Sequence, residues 1–375
     1  MVVEKYMMKY LKQKEPYYLL FTAGVISSVL GVSVWINFNF FGGGSYPREG
    51  HAALMFFGFL GAFVAGFLMT AVPKMTGTAP ADQTELGTIL STSFLINLFA
   101  LANKAEIAAW IYLFELILLV IFVGRRFLKI RRFPFSGMVF IPIALVGAII
   151  SILLYIFGYV TSLSTLMKYS GEVLILNLIC GLGVRLVPMI SRFPHAVSPD
   201  QSSVKISYVR VLARALLLNA LFWADSIFGL KEINFALAAF LLFYFARYFG
   251  LFKRPGLGSR LGWGLKIGEI SLILGYALLG FDVFPIVAAK HLIFIGGFTL
   301  ITMLISTRVI LAHGGKNLDF ELKSPWILPT AFGMILLSVM RVEAGVNVMG
   351  ALMRTIPFLF LVGMLTWYIR LLRAK

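Results

Sequence analysis

The sequence predicts an all-α fold, a polytopic bundle of about twelve transmembrane helices forming one transmembrane domain over residues 1–375. Three observations predict it. The chain is 60% hydrophobic and only 13% charged, against roughly 25% charged residues in soluble domains. Apolar stretches of about twenty residues recur along the whole length, and inside lipid such a stretch satisfies its backbone hydrogen bonds only as a helix. The net charge of +17 falls on alternate connecting segments, as the topology of membrane proteins requires.

The first span, 17–39, follows a segment carrying Lys5, Lys9, Lys12 and Lys14. Its apolar run is too long for a signal peptide and lacks an early small-residue cleavage site, so it reads as an uncleaved span behind a short cytoplasmic segment, 1–16. Gly42 to Gly44 give the next, external loop its flexibility. The second span, 51–73, lies in "REGHAALMFFGFLGAFVAGFLMTAVP". Pro47 suits its first turn, where a missing N–H costs nothing, and His51 then sits about one turn inside. Spans 84–102 and 105–124 turn at Lys104 and lead into the basic run Arg125, Arg126, Lys129, Arg131 and Arg132. Spans 137–158 and 165–190 follow, the latter closing on "GLGVRLVPMISR". Beyond 205–229 and 232–252, the ninth span, 259–281, holds Lys266 and Glu269 at the spacing of a helical ion pair. The tenth, 283–312, contains His291, and 324–342 and 346–371 complete the set.

With the N-terminus inside, 22 lysines and arginines fall on inner segments and 6 on outer ones, namely Arg48, Lys104, Lys168, Lys231, Lys290 and Arg341. This bias places both termini in the cytoplasm. It also accounts for the basic charge without nucleic acid. Cys180 is the only cysteine, so the chain has no intrachain disulfide and no cysteine-rich metal site. No polar linker divides the chain into domains.

The four histidines sort by side. His51 and His291 lie on the outer halves of spans that both enter from outside, while His195 and His313 lie on the inner side. Two imidazoles at one depth on different helices are what a haem iron takes as axial ligands. These span limits set His291 about 10 Å deeper than the mouth, at 1.5 Å per residue. Met55, Gly58 and Ala62 continue the His51 face and would let a flat ring lie close. Equally, Gly58, Gly61, Ala62 and Gly66 are the small residues by which membrane helices pack on one another, and a histidine at a helix mouth is often interfacial. Arg48, Lys290 and Arg341 are cations placed to meet propionates on the outer side. On the inner side Arg185 and Arg308 stand near the level of His313 and His195, either as an anion-binding cluster or as arginines snorkelling to headgroups. Glu115, Glu172, Arg214, Glu269 and Arg354 fall in or near spans, where ionisable groups are costly and mark function. There is no phosphate-cradling glycine loop, hydrolase nucleophile motif or HExxH helix.

"YPREGHAALMFFGFLGAFVAGFLMTAVPKMTG", "GLGVRLVPMISR" and "KHLIFIGGFTLITMLISTRVILAHGGK", in that order, resemble the NnrS family, polytopic bacterial proteins described as binding haem and copper and linked to the nitric oxide response. The two histidine helices also look like spans two and ten of haem-copper oxidase and nitric oxide reductase large subunits, which implies a similar arrangement of helices. Carried over through "HAALMFF" and "KHLIFIGG", that resemblance makes His51 and His291 the ligands of a low-spin haem near the outer face. The sequence departs from the NnrS signature at Ala53 and Leu54, where histidine and glutamate are usual, which puts a copper or second-metal role there in doubt. A binuclear oxidase centre needs about six histidines, and four are present.

The resemblance therefore implies an integral membrane protein of the bacterial inner membrane with a bis-histidine haem b, acting in nitric oxide or redox stress by electron transfer or sensing. A quinol or a redox protein would be its electron donor, and nitric oxide a gas ligand if one histidine leaves. Two other readings stay open. One is a cofactor-free permease using Arg185, Glu172 and Glu269 as its pathway, and the other is an assembly factor for another haem or copper enzyme.

Overall fold

A computed structural model describes residues 15–42, 46–130, 133–159, 166, 168–193, 208–281, 285–315, 324–346 and 350–373. The basic segment around Lys5 to Lys14, the glycines 43 and 44, and His195 lie outside the described residues. Each predicted span coincides with a helical rod. In chain order these are α1 (Pro16–Phe41), α2 (Arg48–Thr76), α3 (Gln83–Leu101), α4 (Ala105–Phe127), α5 (Ser136–Ile156), α6 (Lys168–Val173 continued by Leu174–Ile190), α7 (Tyr208–Phe228), α8 (Lys231–Phe249), α9 (Arg260–Phe281), α10 (Ile286–His313), α11 (Ile327–Val346) and α12 (Gly350–Leu372). Ten of the helices are long and apolar enough to cross a bilayer. The molecule is a multi-pass membrane protein.

Successive helices pack as neighbours, and α12 returns to α1, closing the bundle. Within it α2, α6 and α10 are central: α2 touches α1, α3, α4, α6 and α10, and α10 touches α9, α11, α1 and α2. Burial separates them from the rest, with 78%, 72% and 78% of their apolar windows inside the protein, against 56% or less for the other seven spans. All three central helices change pitch. Leu54–Leu60 in α2, Lys168–Val173 in α6 and Leu292–Thr299 in α10 are π-helical, as is the end of α8. Such segments are rare and gather at functional sites.

The helix ends are fixed by specific chemistry. At the start of α3, Asp82 accepts from the Glu85 amide at 2.8 Å and Glu85 accepts from the Asp82 amide at 3.1 Å, a capping box. The Glu85 carboxylate also receives two N–H groups of Arg126 at 3.2 and 3.0 Å, and Arg126 donates further to the Ala79 and Pro80 carbonyls. One guanidinium therefore clamps the α2–α3 connection to the end of α4.

At the α5–α6 crossing the backbones meet through glycine. A Cβ on Gly137 would lie 2.1 Å from the Gly181 carbonyl oxygen, and one on Gly181 would lie 2.6 Å from that of Gly137. Neither obstacle is a side chain that can turn away. We expect Gly181→Ala to cost about 1–3 kcal/mol through overpacking, read as a lower midpoint of thermal unfolding in detergent; an unchanged midpoint would mean that the two helices separate freely.

Candidate functional site

His51 and His291 occupy equivalent places on the two central helices α2 and α10. His51 is the fourth residue of α2, and its amide bonds to the Pro47 carbonyl at 2.8 Å, so it lies one turn from the mouth. His291 is the sixth residue of α10, because that helix starts at Ile286 rather than at 283. The depths differ by two residues, about 3 Å, where the sequence limits gave about 10 Å. Each histidine is followed within three residues by a π-helical segment.

The rings are held alike. Nδ1 of His51 donates to the Gly31 carbonyl of α1 at 2.7 Å, and Nδ1 of His291 donates to the Val287 carbonyl one turn back at 2.7 Å. A carbonyl oxygen only accepts, so each Nδ1 carries the proton and each Nε2 keeps its lone pair. That is the tautomer a metal-ligating imidazole needs, with the backbone as the orienting partner. Trp35 meets His51 edge-on at 5.9 Å, and Phe294 meets His291 at 6.3 Å. Phe56 of α2 and Phe294 of α10 touch at 4.9 Å, joining the two helices on the inward side of the histidines.

Arg341 lies on α11, which packs against the first turns of α10. Its Nη1 is buried with no hydrogen-bond partner among the described residues. A buried guanidinium N–H left unbonded is suited to an anion.

Other predicted residues are placed differently. Lys290 turns to α6 and pairs with Glu172 at 3.3 Å, and Tyr276 of α9 donates to the same carboxylate at 3.4 Å. Arg48 is exposed at the mouth of α2. The Met55 thioether lies against Gly31, the residue whose carbonyl holds His51. Gly58 packs on Ser27 and Asn97, and Ala62 is fully buried. The π-helical turns shift the α-spaced face on which those three were aligned, so Gly58 serves contact with α1 and α3. At the opposite end, His313 bonds to Lys74 at 2.7 Å and lies 3.8 Å from Glu15, which also pairs with Lys74. Arg185 lies instead over the Phe135 ring, at 5.4 Å, and Arg308 is half-buried in α10. Lys266 donates to the carbonyls of Gly250 and Leu251, so the expected Lys266–Glu269 ion pair is replaced by backbone contacts.

Sequence reasoning passed over the two carbonyl caps and the π segments. Gly31 carries no side-chain signal, and a backbone acceptor leaves no trace in composition. The Glu172–Lys290 pair spans 118 positions, beyond any local spacing rule.

Among the described residues, no three His, Cys, Asp or Glu side chains are grouped to hold a free metal ion. Two imidazoles are too few for a structural zinc site, which takes four ligands. The fold defines a polytopic helical membrane protein, with a carbonyl-bonded histidine near the start of each of two central helices. The chain belongs to the NnrS family: the family profile described as "NnrS protein" matches residues 13–374, nearly its whole length. Among curated proteins the chain has no match.

Proposed function

We propose that this protein is an integral membrane haem protein of the NnrS type, with a b-type haem held between Nε2 of His51 and Nε2 of His291. The observation that carries this reading is the matched pair of Nδ1-to-carbonyl bonds, which present two free Nε2 lone pairs at similar depth on neighbouring central helices. The unbonded Nη1 of Arg341 supports it, since a haem would bring propionates.

When bound, the haem supplies a one-electron couple at its iron. The chain does the rest. The Gly31 and Val287 carbonyls fix tautomer and ring direction, Trp35 and Phe294 wall the imidazoles, and the Phe56–Phe294 contact excludes water from the inward side. Arg341 would meet a propionate. Two histidine ligands leave no open position, so electron transfer or redox sensing in the nitric oxide response is the role this donor set favours, with a quinol or redox protein as donor. Nitric oxide would enter only by displacing an imidazole. We place the site on the outer side of the bacterial inner membrane, with both termini cytoplasmic, on the 22-to-6 bias of positive charge. We assign no copper, because Ala53 and Leu54 stand where the family signature has histidine and glutamate.

Reduced-minus-oxidised absorption spectra of the purified protein, with extracted haem quantified per chain, test this reading. A six-coordinate b-type spectrum at one haem per chain supports it. Colourless protein after expression with ample haem would favour the cofactor-free permease. Arg341→Ala is expected to speed haem transfer to excess soluble apo-haem protein by about tenfold, the equivalent of 1.4 kcal/mol, and Arg341→Lys by less. Equal rates in all three proteins would remove Arg341 from the site.

A further inference from the structure

Positive charge gathers at the end of the bundle remote from His51 and His291, the cytoplasmic end on the charge bias above. α7 starts there and α8 ends there, and the two pack side by side. Arg214 is the seventh residue of α7, and Arg247 lies in the π-helical turn that closes α8. Their guanidinium groups converge on one ring, that of Tyr248: the central carbon of Arg214 is 4.8 Å from the ring centroid and that of Arg247 is 5.4 Å from it. Arg210 is exposed one turn before Arg214, and Lys253 and Arg254 are exposed on the connection from α8 to α9. None of these cations pairs with a carboxylate among the described residues.

Arginines near a span end ordinarily reach separately to headgroups, and like charges stay apart unless a scaffold or an anion draws them together. Here a scaffold does so, through the attraction of a guanidinium for an aromatic face. Tyr248 packs against Tyr244 at 4.9 Å, and Tyr244 donates to the Cys180 carbonyl of α6 at 3.1 Å, which fixes the shared ring from behind. The adjoining connection is held as well: Lys266 donates to the Gly250 and Leu251 carbonyls, and the Gly256 amide donates to the Ser191 carbonyl at 2.9 Å. Two positioned guanidinium groups from different helices, without a counter-ion, suit a phosphate.

The neighbouring surface selects the kind of phosphate. One turn nearer the membrane centre, Leu217 of α7 is 50% exposed and Phe243 of α8 is 65% exposed, and helical spacing sets each on the face of its own helix's arginine. Charge at the end and apolar surface behind it is the order of phosphate and acyl chain in a phospholipid. A soluble anion would use only the charge.

We propose that the adjoining ends of α7 and α8 form a binding site for an anionic phospholipid. Its phosphate is shared between Arg214 and Arg247 at Tyr248, Arg210 adds to the positive field, and an acyl chain lies along Leu217 and Phe243. The site uses no residue of the histidine site and stands whether or not the haem reading does.

Thermal unfolding of the full chain in detergent, titrated with phosphatidylglycerol, phosphatidylcholine or inorganic phosphate, tests the proposal. Phosphatidylglycerol should raise the midpoint saturably, as a ligand of the folded state does, and the other two at equal concentration should not. Arg214→Gln and Arg247→Gln should each weaken the apparent affinity for phosphatidylglycerol about fivefold, and Arg214→Lys should recover part of that loss. Arg125→Gln, which removes an exposed cation at the same end of the bundle on α4, should leave the affinity unchanged. Because the readout is the lipid concentration at half-shift, a variant with a lower starting midpoint still decides the matter. Equal weakening in Arg125→Gln and Arg214→Gln, or an equal shift with phosphatidylcholine, overturns the site in favour of a diffuse field. An equal shift with inorganic phosphate overturns the lipid as occupant, and no shift with phosphatidylglycerol overturns the proposal outright.

Discussion

On the haem reading, replacing His51 or His291 by alanine is expected to strip the purified protein of haem absorbance, whereas His313→Ala should leave it at full intensity. The asymmetry follows from what each ring does. His51 and His291 spend Nδ1 on a carbonyl and keep Nε2 free, so truncation would remove a proposed iron ligand and leave Gly31 or Val287 without its donor. His313 is committed at its Nδ1 to Lys74, beside Glu15, at the other end of the bundle. Loss of a partner that merely orients a metal ligand costs about 10–100-fold in affinity, and loss of the ligand itself should cost at least as much. Haem per chain, measured after purification at equal expression, is the readout. Equal haem content in all three variants would place the cofactor elsewhere.

Lys290→Ala is expected to be strongly destabilising, costing about 3–5 kcal/mol, the range for orphaning one partner of a buried pair. Lys290 joins α10 to α6 through Glu172, and the two partners differ in access to water: the lysine side chain is 21% exposed and the glutamate 1%. Truncating the lysine therefore leaves a carboxylate that water cannot reach, with Tyr276 as its remaining donor. Truncating the carboxylate leaves an ammonium that water reaches in part. Glu172→Gln should accordingly cost less, about 1–3 kcal/mol. The double variant Lys290→Met with Glu172→Gln should recover most of the loss, because it leaves no unpaired charge behind. Thermal unfolding in detergent decides between these orders. If Glu172→Gln proves the worse of the two, water reaches the carboxylate after all.

The same pair marks where sequence reasoning stopped. Helical spans were legible because lipid permits so few alternatives: Phe, Leu, Ile and Val in runs of twenty leave the backbone one way to satisfy itself. His51 and His291 were legible because polar residues are scarce in such runs, so each one stands out. What could not be read was everything set by contact between distant segments. The Gly31 carbonyl that orients His51 lies 20 positions earlier on another helix. Leu54–Leu60 and Leu292–Thr299 look like any apolar helix, yet their π-helical pitch moved Gly58 from the presumed slot to the α1 and α3 interface. The regular spacing of Lys266 and Glu269 suggested an ion pair, and the carbonyls at the end of α8 took the lysine instead.

Two imidazoles on one iron is the central claim, and electron paramagnetic resonance of the ferric protein tests it most directly. The account predicts a low-spin signal characteristic of two nitrogen axial ligands, lost or converted to high-spin in His51→Ala and again in His291→Ala. A high-spin ferric signal from the unmodified protein, or a low-spin signal that survives both replacements, would contradict it.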